Sequence, residues 1–237
     1  MKTFFKQNAV FISLSLMLVA ALGLALLCLP KGELHLLLCD HHTPARDVFF
    51  RYYTHVAEWV PYVVCVALLL FSRIGNGVFA STAMLLSTLF TQVTKHIFVA
   101  PRPLTWFTEN MPDIQLPLVE GVRMNHWYSF PSGHTTSFFA LAFVLCILLT
   151  RNTRESRASR ASRNTTPLLQ VGLFLLAALG GYSRIYLCQH FALDVFGGIL
   201  SGLIAGIISY AIFSRYEDKK WYNYRVIGPK SPQKAKK

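Results

Sequence analysis

Acidic residues are scarce in this chain: 11 Asp and Glu in 237 residues, against 23 Lys and Arg, for a formal charge of +12. Charged residues of both signs reach only 14%, whereas a soluble domain carries about 25%. With a mean hydropathy of +0.41, that deficit excludes an ordinary soluble domain. Cysteines are few and odd in number, five, which excludes a disulfide scaffold. Cys28, Cys65 and Cys146 fall inside apolar runs. Only Cys39 and Cys188 lie near segment ends, and sequence spacing does not decide whether they pair. There is no internal repeat, and 53% hydrophobic content excludes disorder and collagen. In a soluble protein the basic excess would suggest nucleic acid, but here it lies between and after apolar runs, so no nucleic-acid partner is expected.

What is present is a series of apolar runs. Asn8–Leu29 holds no charged residue and, at about 22 residues, spans a bilayer core. A cleaved signal peptide is the rival, since Lys2 and Lys6 precede the run, but signal cores are about 7–15 residues long. Further runs are Val56–Phe71, Val78–Val93, Phe130–Thr150, Leu168–Leu187 and Val195–Phe213. The sequence therefore predicts an all-α polytopic membrane protein: residues 1–237 as one domain, six transmembrane helices in one bundle, and a basic cytoplasmic tail over 214–237. The second run starts least clearly, because Glu58 and Pro61 lie near its beginning. Six spans put both termini on one side. Of the Lys and Arg residues 16 fall there and 7 opposite, so the positive-inside rule puts the termini in the cytoplasm. Pro30–His55, Phe98–Ser129 and Cys188–Asp194 become outer loops. Arg151–Pro167 reads as a solvated cytoplasmic loop.

Against this apolar background, Lys95, Arg102, Ser132, His134, Ser183, Arg184, His190 and Asp194 gather at the predicted outer helix ends. Ionisable groups at membrane depth usually line a bundle interior or a wet cavity. Lys95 and Arg102 are fixed near one another by the turn through Pro101 and Pro103, and Arg184 adds a third cation. Three such cations suit an anionic ligand, with Arg offering a planar fork to phosphate oxygens. Pro131-Ser132-Gly133-His134 introduces the fourth span, where free backbone N–H groups form an anion cradle. His190 and Asp194, four apart, are expected one above the other on a helix. The carboxylate would then fix the tautomer of a base or nucleophile.

Lys95-(six residues)-Arg102-Pro103, Pro131-Ser132-Gly133-His134 and Ser183-Arg184-(five residues)-His190-(three residues)-Asp194 together resemble the three signature motifs of the type 2 phosphatidic acid phosphatase superfamily. The likeness covers Val78–Phe213. It implies a metal-independent phosphatase with a phosphohistidine intermediate and no cofactor. In that reading His190 attacks phosphorus, Asp194 orients it, and His134 passes protons. Lys95, Arg102, Ser132, Gly133 and Arg184 bind phosphate. His41-His42 beside Asp40 reads as an ordinary outer loop rather than a metal site.

Six spans favour a phosphorylated membrane lipid in the bilayer as substrate. The resemblance further implies a bacterial inner-membrane enzyme with its site facing the periplasm. Lipid A, at its 1- or 4′-phosphate, is the first expectation. Undecaprenyl diphosphate and phosphatidylglycerol phosphate are alternatives, because the motifs do not separate them. A transporter or flippase could use the same cations to bind a phospholipid without cleaving it. Gly198, Gly202 and Gly206, spaced by four, read first as a close helix contact and second as a lipid groove.

Overall fold

The computed structural model describes residues 2–155 and 160–226; side chains at position 2 and over 152–165 fall outside it. Among these residues there is no strand. The helices are α1 (Lys2–Gln7), α2 (Ala9–Cys28), α3 (Lys31–Cys39), α4 (Pro44–Tyr53), α5 (Trp59–Ser72), α6 (Ile74–Ile97), α7 (Pro103–Asn110), α8 (Gly133–Glu155), α9 (Arg160–Tyr186) and α10 (Ala192–Phe213). By length and apolarity α2, α6, α8, α9 and α10 can each cross a membrane. A sixth span needs the bent pair Pro44–Ala57 and Trp59–Ser72, which turns by 49°. The break falls at Glu58, whose extended backbone precedes α5. That position also explains why the start of the second run is hard to read.

Three regions differ from the sequence expectation. Pro30–His55 is not an open loop, since α3 and α4 occupy most of it, and α7 forms inside Phe98–Ser129. Thr43 caps α4 by accepting from the Arg46 N–H, with Pro44 in the first turn, a sequence-readable start. The polar Arg151–Pro167 segment is largely helical, because α8 continues to Glu155 and α9 begins at Arg160. Helical hydrogen bonding carried on from two long spans needs no apolar face of its own. Residues 227–237 of the basic tail lie outside the described residues.

α8 packs between α9 and α10, with α6 against both α8 and α10. Phe138, Phe139, Phe143 and Ile147 of α8 meet Ile199 and Leu203 of α10 in the core. α2 is peripheral: Leu27 is 88% exposed and Met17 66%, the pattern of a helix facing lipid rather than protein. Its base is nevertheless pinned. Asn8 Oδ1 accepts from Thr150 Oγ1 at 3.1 Å, and Gln170 Oε1 accepts from the Phe11 N–H at 3.1 Å. Buried polar groups need such partners, and these tie the N-terminal segment to the α8–α9 end of the bundle.

The glycine spacing on α10 is a close helix contact. A Cβ on Gly202 would stand 2.7 Å from the Thr136 carbonyl oxygen and 2.9 Å from Phe139 Cβ; one on Gly198 would stand 2.8 Å from the Ser132 carbonyl oxygen. Backbone rather than flexible side chain is the obstacle, so α8 and α10 must separate to admit a larger residue. Gly202→Leu is expected to destabilise the protein by about 3 kcal/mol or more, read as a lower unfolding temperature in detergent. An unchanged temperature would contradict the contact.

Candidate functional site

Lys95 stands at the end of α6, His134 in the first turn of α8, Arg184 near the end of α9 and Asp194 in the first turn of α10. Lys95, Arg102, His134, Arg184, His190 and Asp194 lie within electrostatic reach of one another, and the Ser132 N–H meets the Asp194 carbonyl; the Ser183 hydroxyl instead donates to the Gly180 carbonyl within α9. His190 departs from expectation in one respect. It lies in the turn between α9 and α10, outside either helix. The chain reverses there, so the i,i+4 helical argument does not apply, yet His190 Nδ1 still lies 3.4 Å from Asp194 Oδ2. Both residues are buried, at 1% and 3% exposure.

The Asp194 carboxylate is held from two other directions. Its Oδ2 accepts from Ser129 Oγ at 2.5 Å and from the Phe191 N–H at 2.8 Å. Among the described residues His190 Nδ1 has no hydrogen-bond partner. A carboxylate already fixed by two donors offers its remaining lone pairs to the ring without having to reorganise. Burial, and after it the fields of Arg102, Arg184 and Lys95, hold the His190 imidazole well below its ordinary pKa, which leaves it neutral.

The two arginines are organised by Gln189, a residue that the sequence gives no reason to single out. Arg102 Nη1 donates to the Gln189 backbone oxygen at 3.1 Å and to its Oε1 at 3.2 Å; its Nε donates to the Trp127 carbonyl at 3.1 Å. Arg184 Nη2 donates to the same Oε1 at 3.3 Å, and Nη1 to Thr54 Oγ1 at 2.5 Å. The Gln189 Nε2 in turn donates to the Arg123 carbonyl at 2.8 Å. One amide oxygen thus holds two guanidinium groups side by side against their mutual repulsion. Lys95 lies within electrostatic reach of Arg102, Arg184 and Asp194. His134 is similarly close to Arg184, His190, Arg102 and Lys95.

At the start of α8, Ser132 acts as the N-cap: its Oγ accepts from the Thr135 N–H at 3.3 Å and from Thr135 Oγ1 at 2.9 Å. The Ser132 N–H is not free to cradle an anion, because it donates to the Asp194 carbonyl oxygen at 2.9 Å. That bond braces α8 against α10. The first-turn amides of Gly133 and His134 retain the orientation of a helix N-terminus.

Two further groups border the site. Lys31, at the start of α3, places Nζ 3.9 Å from the Phe191 ring centre and 5.1 Å from that of Trp106. Lys31 also lines a cavity of about 240 Å³, together with Leu26, Leu29, Leu34, Phe191, Ala192 and Leu193. It runs between α2 and the start of α10, one residue from His190, and its walls are apolar apart from Lys31.

A multi-pass helical bundle with three cations, two histidines and one carboxylate converging at its helix ends defines a membrane phosphoric-ester hydrolase. Residues 76–218 match the PAP2 superfamily, and the chain belongs to it. It is a PAP2 membrane lipid phosphatase, whose substrate is a phosphorylated lipid of the bilayer. The chain is 30% identical over 184 residues to the lipid A 4′-phosphatase of Porphyromonas gingivalis, covering 75% of this chain and 70% of that protein. The fold is similar to the crystal structure of Aquifex aeolicus LpxE, with a TM-score of 0.58, 31% identity, and coverage of 76% of this chain and 93% of that one. It is also similar to the crystal structure of a transmembrane PAP2-type phosphatidylglycerolphosphate phosphatase from Bacillus subtilis. There the TM-score is 0.55 and identity 21%, over 91% of this chain and all of that one (100%).

Proposed function

We propose that the chain, acting as one phosphatase domain, removes a phosphate from lipid A at the outer face of a bacterial inner membrane, through a phosphohistidine on His190. The observation that carries the chemistry is the buried His190 ring, 3.4 Å from Asp194 and grouped with Arg102, Arg184 and Lys95. Phosphoryl transfer asks little of the protein beyond in-line positioning and stabilisation of charge on the equatorial oxygens.

In the proposed sequence Lys95, Arg102, Arg184 and the Gly133 N–H bind the phosphate oxygens, with Ser132 holding the α8 N-terminus in place. His190 attacks phosphorus through Nε2, and Asp194, facing Nδ1, stabilises the positive charge that builds on the ring. His134 gives a proton to the departing lipid alkoxide, then takes one from the water that hydrolyses the phosphohistidine. Three side-chain cations supply the charge neutralisation that a metal would otherwise provide, so the reaction is expected to need none.

Lipid A is favoured by the identity to the Porphyromonas gingivalis protein. The largely apolar cavity beside Phe191, with Lys31 in its wall, suits an acyl chain entering from the bilayer. The outer-face assignment follows from the excess of Lys and Arg around the termini and the α8–α9 connection; both termini are then cytoplasmic and the site opens to the periplasm. The experiment is phosphate release by the detergent-purified protein with EDTA present, across lipid A, undecaprenyl diphosphate, phosphatidylglycerol phosphate and phosphatidic acid. The expected result is EDTA-resistant turnover that is fastest on lipid A. Turnover abolished by EDTA would overturn metal independence, and preference for another of these lipids would overturn the substrate assignment.

A further inference from the structure

Cys39 closes α3 and Cys188 lies in the turn two residues before His190, both buried, at 1% and 0% exposure. The fold brings the two free thiols close together. Their sulfur atoms lie within 4.8 Å of one another and of a ring nitrogen of His35. Among the described residues neither ring nitrogen of that buried imidazole has a hydrogen-bond partner. Cys188 Sγ also faces the Pro117 and Tyr186 carbonyls, at 3.9 and 4.0 Å, which are weak contacts for a thiol. Cys188 also adopts φ +50°, a left-handed conformation in which glycine meets less strain. Tyr182 donates to the Leu38 carbonyl at 3.1 Å and holds the end of α3 beside α9 independently of the cysteines.

Two chemistries fit a buried His-Cys-Cys group. A structural zinc site is almost always completed by four ligands, and among the described residues this group offers three. A disulfide needs only the two thiols, and it persists in an oxidising outer compartment, which is the side assigned to this end of the bundle in the proposed function. We propose that Cys39 and Cys188 form a disulfide that locks the turn carrying Gln189 and His190 to the end of α3.

The bond forms by exchange, before burial, with the disulfide of a thiol-oxidase protein. One cysteine thiolate attacks the oxidant and releases its first thiol, and the second displaces the mixed disulfide and releases the other. Two protons and two electrons leave the pair and reduce the oxidant to a dithiol. The lock bears on the site because Gln189, the next residue, holds both Arg102 and Arg184.

The test is peptide mapping of the purified full chain, denatured without reductant in N-ethylmaleimide. The expected result is a cross-linked Cys39–Cys188 peptide and adducts on Cys28, Cys65 and Cys146 only, with all five cysteines labelled after reduction. Five adducts before reduction overturn the bridge, and one equivalent of zinc by elemental analysis in that case assigns the group to a metal. A carboxyl-terminal fluorescent-protein fusion reports the side of the termini separately. Five adducts with a fluorescent fusion overturn the disulfide alone, whereas a dark fusion overturns the outer-face assignment on which it rests. Protein made in a host lacking thiol oxidase is expected to unfold several degrees lower, and an unchanged unfolding temperature overturns the lock.

Discussion

His190→Ala is expected to lower phosphate release by roughly ten-thousandfold or more while leaving the protein folded, because loss of an attacking group removes the covalent route rather than weakening it. The alanine leaves a small void in a turn already braced by Arg102 and the Ser132–Asp194 bond. Binding of the lipid phosphate should survive, since Lys95, Arg102 and Arg184 remain. The measurement is kcat in single-turnover conditions together with lipid binding. Activity within tenfold of the native enzyme would remove His190 from the mechanism. The native enzyme also carries a pH signature. The His190 pKa is lowered, first by burial and then by the cations, so the unprotonated nucleophile persists as pH falls past 6.5. The acid limb of kcat/KM that reports the free enzyme is therefore expected below that value. A limb above it would mean that the ring is not held neutral.

Replacing Arg184 has the second largest expected effect. Its guanidinium spans Thr54 on one side and Gln189 on the other, a fork that lysine cannot reproduce even with the charge retained. Arg184→Lys is expected to lower kcat by about a hundredfold, and Arg184→Ala by up to about a thousandfold, the range seen when one preorganised donor to a developing charge is lost. KM should change less than kcat, since charge on the equatorial oxygens is greatest in the transition state. A circular dichroism spectrum and unfolding profile separate this from misfolding. Full activity in Arg184→Lys would show that only charge, and not the fork, is used.

Membrane class, the long spans and the convergence of the cations and histidines could all be read from the chain. Apolar runs of bilayer length and a deficit of charge are local properties, and α2, α6, α8, α9 and α10 follow them closely. The residues that hold the site together are less visible. Ser129 fixes Asp194 from 65 positions away, and Thr54 meets Arg184 across 130. No local pattern distinguishes either from other polar residues at a segment end. Gln189 could have been noticed only as a polar residue between two motif positions. Its role depends on a turn geometry that placed His190 outside a helix, contrary to the i,i+4 reading. That the Ser132 N–H is already engaged is invisible locally for a related reason: its acceptor, the Asp194 carbonyl, belongs to a helix that starts sixty residues later. In Pro30–His55 and Arg151–Pro167, short or polar helices gain their order from neighbouring spans, so hydropathy alone reads them as loops.

The most direct test of the account is to trap the covalent intermediate. Lipid A carrying a radiolabelled phosphate is mixed with the purified protein, quenched in alkaline denaturant within milliseconds and digested, and labelled peptides are sequenced. The account predicts a base-stable, acid-labile phosphate on the peptide bearing His190, absent from His190→Ala. Lipid phosphate released in the same burst without any labelled protein, or label on a different residue, would contradict it.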